Sequence, residues 1–417
     1  MKLRRLALVP IFLLLALFTT AQVCDDKHRP IILIHGFLGA GDNYSFMLHK
    51  LFEAGYCPQR CFVYDWNSID RANQNPRLDR FVDSVLQVTG ASNVDLAGHS
   101  AGGGVCYAYL SDSVRAKKVA HYVHIGSNAN KTPAGGEGTV PNLNIYSTAD
   151  RVVKGGDIAG ATNLRFTNYD HIEVVTADSV AVAVYEFLNT GKKYKPNKMV
   201  LPDAFAVKGR VITLGQNQAM AGAKLLVKKV RKNGSLGAKI AEATTREDGN
   251  FTLNGIEPST AYMIYCYPLA GRPMVYYFSK ILPHEPLLYL RTLPFEGMVS
   301  MMLGSLPADS NQAVFTLFSN KRAILYGRDE LSINGTTLST EAFATPAKTA
   351  ISWFLYDGNG NGQSDFTRIA PLSNFPFMQA IDVWLPAGSK TSQFVFNGNT
   401  INVPSIPASE AIIVVVL

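Results

Sequence analysis

The residues with the clearest chemical potential are Gly98-His99-Ser100-Ala101-Gly102, a serine with glycine two positions away on each side. Residues 93–97 before them read as a short apolar strand, and residues 103–110 after them as a helix. Strand, G-x-S-x-G and helix together are the layout of a nucleophile elbow, a tight turn that lifts the serine hydroxyl above the strand ends. The helix aims its first N–H groups at the same point, where negative charge would develop. A five-residue G-x-S-x-G also arises by chance, so the base, the acid and the oxyanion donors decide the matter.

Four histidines follow Ser100: His121, His124, His171 and His284. His121 and His124 belong to a strand-like run, and His284 falls in the β-rich half. His171 sits in the loop Asn168-Tyr169-Asp170-His171 before the last helix of the first half, where a base can hang over strand ends. The acid is expected after a strand and before the base. Asp150 meets that condition, with Asp157 as the reserve candidate; Asp170 cannot easily curl onto its neighbour's ring. The loop after the first strand, His35-Gly36-Phe37-Leu38-Gly39, offers the Phe37 N–H as one oxyanion donor, and Ala101 offers the other. Phe37 and Leu38 are also expected to line the substrate pocket. The set Ser100, His171 and Asp150 is suited to acyl transfer through an acyl-enzyme, with no metal or organic cofactor required.

These residues need a scaffold. Residues 30–34, 61–66, 93–97, 120–125, 143–147 and 164–167 read as strands, alternating with helices at 45–54, 77–89, 101–110 and 177–188. That alternation predicts an α/β fold with a mostly parallel sheet covered on both faces. The pattern breaks after Gly191. A basic, proline-containing stretch at 192–204 reads as a linker between a catalytic domain, 22–191, and β-rich modules. Residues 205–292 carry short strand-like runs separated by turns such as Asn233-Gly234 and Asp248-Gly249, which suggests an immunoglobulin-like sandwich. Residues 293–417 read as a further β domain.

The motifs carry a resemblance. Residues 29–190 resemble the small secreted bacterial lipases of the class 2 type, which are compact α/β-hydrolases. The matching stretches are Pro30-Ile31-Ile32-Leu33-Ile34-His35-Gly36-Phe37, Arg80-Phe81-Val82-Asp83 and Val94-Asp95-Leu96-Ala97-Gly98-His99-Ser100-Ala101-Gly102-Gly103. Asn144-Ile145-Tyr146-Ser147-Thr148-Ala149-Asp150 and Asp170-His171-Ile172 extend it. The resemblance implies an α/β-hydrolase fold and ester hydrolysis by a Ser-His-Asp set. Ala101 replaces the methionine often found there, which matters little because the backbone N–H is what acts. Val207-Lys208-Gly209-Arg210-Val211 and Asp248-Gly249-Asn250-Phe251 resemble transthyretin-like sandwiches. The whole β-rich remainder is similar in layout to the C-terminal extension of archaeal lipases.

Lys2, Arg4 and Arg5 precede an apolar run from Leu6 to Phe18 and small residues before Gln22, the pattern of a secretory signal peptide over residues 1–21. The expected location is extracellular or periplasmic. No later run is long and apolar enough to cross a bilayer. The chain carries a formal charge of +7. Three of those cations leave with the signal peptide, and the remainder is too scattered to suggest nucleic acid. The expected partner is a lipid or other ester substrate, at a lipid–water interface. The competing readings are a polyester depolymerase or general esterase, and a non-catalytic attachment protein built on the β modules.

Five cysteines in an exported chain point to an oxidising compartment. Cys57 and Cys61 are the expected bridge, with Cys24 as the alternative partner; Cys106 reads as a buried small hydrophobe. Asp357, Asn359, Asn361 and Asp365 have the spacing of a calcium loop, but Arg368 stands where an EF-hand needs a bidentate glutamate, so a Gly/Asn-rich turn is the competing reading. Two further expectations follow from the layout. Ser100 should be open to water, because the 125–143 connection is too short for a helical lid. The β modules should act separately, with Tyr276, Tyr277, Phe278 and Phe295 as docking contacts.

Overall fold

The computed structural model describes residues 27–417, apart from 71, 136–138, 198–201, 283–286, 371 and 389–390. The expected signal peptide, Cys24 and His284 lie outside the described residues. The first half runs β1 Ile31–Ile34, α1 Ser45–Glu53, β2 Cys61–Tyr64, α2 Asn75–Thr89, β3 Val94–His99, α3 Ala101–Leu110, α4 Ser113–Ala116, β4 Val119–Ile125, β5 Asn142–Ser147, β6 Thr162–Phe166, α5 Glu173–Thr176 and α6 Asp178–Leu188. The six strands form one parallel sheet in the order β2-β1-β3-β4-β5-β6. Every residue of β1 is buried because both faces are covered, which is why the strand is a continuous apolar run. Ile31 and Leu33 pack under α1 and α6, and Ile32 and Ile34 pack with α2 and α3 on the opposite face. The connection that leaves β1 runs to β2 on one side, and the connection that leaves β3 runs to β4 on the other. That switch point opens a crevice at the carboxyl ends of β1 and β3, where α/β sheets bind ligands. Gly36 follows β1 there and Ser100 follows β3.

The second half is built on an eight-stranded mixed sheet in the order β18-β17-β14-β21-β12-β11-β8-β9. Its strands are β8 Lys224–Val230, β9 Leu236–Thr244, β11 Ala261–Tyr267, β12 Met274–Phe278, β14 Phe315–Phe318, β17 Ser352–Tyr356, β18 Met378–Asp382 and β21 Ile412–Val416. β21 lies between β12 and β14 and pairs with both in parallel, so the division expected at 292/293 does not separate two sheets. A three-stranded sheet of β7 Phe205–Thr213, β10 Asn250–Ile256 and β13 Leu288–Thr292 packs on one face, together with helix α7 Gly297–Leu303. A four-stranded sheet of β15 Leu331–Ile333, β16 Thr336–Thr337, β19 Thr391–Phe396 and β20 Asn399–Pro404 packs on the other. Both faces of the central sheet are therefore buried. Along β12, Met274, Tyr276 and Phe278 face the first core while Val275 and Tyr277 face the second. The expected docking residues Tyr276, Tyr277 and Phe278 are 5%, 6% and 8% exposed, and are core; Phe295 alone of the four is open, at 51%.

The halves are joined by buried polar contacts. Asp65, just after β2, accepts from Arg210 Nη1 and from the Tyr289 hydroxyl, both at 2.7 Å, and from the Gly41 N–H at 2.7 Å. Arg291 on β13 pairs with Asp42. The linker is tied down as well: the Tyr194 hydroxyl donates to Glu53 at 2.7 Å.

The expected Cys57–Cys61 bridge does not form. Cys57 is disulfide-bonded, whereas Cys61, Cys106 and Cys266 are free. Three residues of 3-10 helix, Pro58–Arg60, separate Cys57 from Cys61. Cys61 opens β2 and packs its thiol against the core under α1. Burial there pushes the thiol well above its ordinary pKa, so it stays protonated.

Candidate active site

Ser100 has φ 54° and ψ −122°, the strained left-handed conformation of an elbow. The turn closes only because its neighbours lack side chains. A Cβ on Gly98 would come within 2.7 Å of the Gly102 carbonyl oxygen, and one on Gly102 within 2.2 Å of the Ile34 carbonyl oxygen. Ser100 donates its N–H to the Ile125 carbonyl at 3.0 Å, and its own carbonyl accepts from Ser127 Oγ at 2.8 Å.

Three of the expected residues meet. His171 Nε2 lies 2.9 Å from Ser100 Oγ, and His171 Nδ1 lies 2.7 Å from Asp150 Oδ2. The other Asp150 oxygen accepts the Val152 and Val153 N–H groups at 2.8 and 3.0 Å. The side chains of His171 and Asp150 are each 2% exposed. Burial pushes the Asp150 carboxyl up, but the hydrogen bond and charge of His171 and the two backbone donors outweigh it, so the group sits below the ordinary carboxylate value. Asp150 is thus held as an acceptor for Nδ1–H, which presents bare Nε2 to the serine.

The reserve candidate Asp157 and the discounted Asp170 have other partners. Asp157 accepts the Tyr146 hydroxyl at 2.7 Å. Asp170 caps the turn after His171 by accepting the Ile172 and Glu173 N–H groups, and its other oxygen accepts from the Ala323 N–H and from Arg328, at 3.0 and 3.1 Å. His121 bonds Asp95 at 2.8 Å, far from Ser100 along the strand.

The loop after β1, expected to carry an oxyanion donor, comes close to the serine. A Cβ on Gly36 would stand 2.9 Å from Ser100 Cβ. The Leu38 N–H donates to Ser68 Oγ at 2.8 Å and the Gly39 N–H to the Gly36 carbonyl at 3.1 Å, so neither points at the serine. Leu38 itself has φ 58°.

Sequence reasoning missed how much of the site comes from the second half. Ser100 and His171 open on a cavity of about 120 Å³. Phe37 and Leu38 line it as expected, but Met274, Tyr276, Leu303, Thr316, Phe318, Phe354 and Val414 line it too. Tyr276, Val414, Thr316 and Phe354 form one row across β12, β21, β14 and β17, set by strand register. This sheet face stands where a lid would, so Ser100 is half-buried rather than open. Phe377 stacks on the His171 ring at 5.9 Å between centroids, and His99 lies against that ring at 4.8 Å. Burial, helped by the nearby His171, pushes His99 down to about 3. Neutral His99 donates from Nε2 to the His171 carbonyl at 2.9 Å, which orients the His171 loop. These strands are apolar runs without alternation, and nothing local marked which of their residues would meet Ser100.

The Asp357 loop closes on itself. Asp357 accepts the Gly360 and Gly362 N–H groups, each at 2.7 Å, and Asp365 accepts from the side chains of Asn359 and Asn361 at 2.7 and 3.0 Å. Among the described residues no group of three or more His, Cys, Asp or Glu side chains is arranged to hold a metal. Among the same residues no helix is long and apolar enough to cross a membrane.

The family model described as alpha/beta hydrolase fold matches residues 29–148, and a second model, that of a C-terminal domain, matches residues 316–417. Among solved structures, the propeptide form of a Bacillus licheniformis lipase is similar at 14% identity, over 60% of this chain and 71% of that one, with a TM-score of 0.33. A CIB-like hydrolase of Thermoplasma acidophilum is 17% identical over 40% of this chain and 89% of its own, with a TM-score of 0.32. An alpha/beta hydrolase enzyme from a sediment metagenome of the Mar Chica lagoon, Morocco, is 14% identical over 39% and 92%, with a TM-score of 0.31. The family match and the parallel sheet order agree: the N-terminal region is an α/β-hydrolase core, followed by β-rich sheets.

Proposed function

We propose that this chain is a serine carboxylester hydrolase with Ser100 as nucleophile, His171 as base and Asp150 as the orienting acid. The observation that carries the reading is the relay of 2.9 and 2.7 Å from Ser100 through His171 to Asp150, opening on an apolar cavity. His171 Nε2 takes the Ser100 proton as Oγ attacks the ester carbonyl. The N–H groups of Phe37 and Ala101 receive the oxyanion. The carbon–oxygen bond to the alcohol breaks, and His171 returns the proton to the leaving alkoxide. Water, deprotonated by His171, then attacks the acyl-enzyme; the acid departs and Ser100 recovers its proton. Each step uses side chains and backbone of this chain.

We further propose that the protein is exported. The disulfide at Cys57 and the signal-peptide pattern of residues 1–21 support passage through an oxidising compartment.

The test is a fluorophosphonate probe with Ser100→Ala. The wild-type chain should be labelled at Ser100 and hydrolyse p-nitrophenyl esters. Ser100→Ala should lose the label and at least about a thousandfold in kcat, with its Tm retained. Hydrolysis that survives the substitution would mean a different nucleophile.

A further inference from the structure

We propose that the cavity beside Ser100 is an acyl pocket for chains of about five carbons, closed by the C-terminal sheet, and that the substrates are short-acyl, water-soluble esters. The proposal rests on the hydrolase reading of Ser100 given above. The capacity follows from size. An apolar cavity of about 150 Å³ holds one benzene molecule, six carbons, so the 120 Å³ here accepts about five.

The limit is built into the sheet. Thr316, Phe354 and Val414 stand on three paired strands, so none can retreat without breaking ladder hydrogen bonds. Behind them the opposite face is packed: Phe315, Trp353, Leu355, Ile413 and Val415 are fully buried in the second core. Interiors at crystal-like density yield little to an over-long guest. The wall is also not uniformly greasy. Thr316 Oγ1 is buried without a hydrogen-bond partner, and the Arg291 guanidinium lies 5.4 Å from the Phe318 ring centroid. A long hydrocarbon chain would gain less from such a wall than from an aliphatic sleeve.

The experiment is kcat/KM of the full chain on p-nitrophenyl esters from acetate to laurate, below their micelle-forming concentrations. The rate constant should climb by roughly fourfold per methylene to butyrate or hexanoate, then fall at least about tenfold by decanoate. Phe318→Ala, at a half-buried position, should move the optimum up by two or more carbons. Thr316→Leu should move it down to acetate. A wild-type profile that keeps rising through laurate overturns the proposal. So does an unmoved optimum in both variants when each retains the wild-type Tm. Those outcomes leave Ser100 labelling by the fluorophosphonate intact. Absence of both labelling and hydrolysis at every chain length would instead overturn the hydrolase reading on which the pocket rests.

Discussion

Asn217 Nδ2 lies 3.0 Å from His35 Nε2, joining positions 182 residues apart. The same amide reaches the carbonyls of Gly39 and Trp66, each at 2.9 Å. Asn217 sits in the turn after β7 with φ 56°, a conformation asparagine tolerates better than most residues. His35 Nδ1 bonds the Gly36 carbonyl at 2.8 Å, so a side chain of the second half braces the loop that would carry the Phe37 oxyanion donor. Gly215, two residues before it, accepts from the Ser68 N–H at 3.2 Å, and Ser68 in turn holds Leu38.

Asn217→Asp should therefore damage the chemical step more than substrate binding. It keeps the backbone conformation and removes the donors. We expect kcat to fall roughly tenfold to a hundredfold, as a misplaced reacting geometry does, with KM nearly unchanged. Equal kcat in the two proteins would show that the brace is dispensable.

A chain cut near Lys195 bears on the β half as a whole. Read as sequence, the first 191 residues look chemically complete, and removing the rest should spare soluble esters. The structure reverses that expectation. The cut removes Phe354, Phe318, Val414 and Met274 from the cavity, Phe377 from the His171 ring and Arg328 from Asp170. Hydrolysis of p-nitrophenyl acetate should be lost along with that of longer esters. A truncated protein that is folded and as active as the full chain on acetate would restore the modular picture.

Acid should destabilise the protein well above the carboxylate range. Burial pushes His35 below its ordinary value, His99 down to about 3 and His124 down to about 4. Each folded pKa is depressed, so in that window the unfolded chain binds the proton and the native state does not. Stability is then fully present above about 6.5 and declines as pH falls, with His124 contributing down to about 4 and His99 down to about 3. Each histidine adds a slope of about 1.4 kcal/mol per pH unit. His124 bonds the Tyr122 hydroxyl and the Asn128 carbonyl, outside the Ser100 site, so His124→Gln should remove one proton from the slope. Urea melts at half-unit steps from pH 7 to 4 measure it; a flat profile to pH 5 would contradict the assignment.

What was legible depended on how local the cause was. Ile31 to Ile34 had to be a doubly covered strand because all four side chains are apolar, and Gly98 and Gly102 announced a turn that admits no Cβ. Asp150 and His171 followed from chain order. The β half was harder for a physical reason. Met274 to Phe278 are apolar at every position because both faces of β12 are covered, and the same composition suits an exposed docking patch. The pairing of β21 with β12 and β14 spans most of that half, and no neighbouring residue encodes it. Cys57 and Cys61 have a spacing that permits a bridge, but Cys61 belongs to the strand, and the core claims its thiol.

The place of β21 also orders events in time. Contacts between residues far apart in sequence form late, because the intervening chain must first be gathered. Val414 reaches Tyr276 and Thr316 only when residues 412–416 slot between two strands laid down long before. The Ser100 elbow needs only pairings within residues 31–125, so it should form before that insertion, its hydroxyl facing a half-built cleft. The wall opposite it is completed only by that insertion. Competence would thus switch on as a single late event, and a chain that stalls or is nicked before that insertion would carry every reacting group and remain silent.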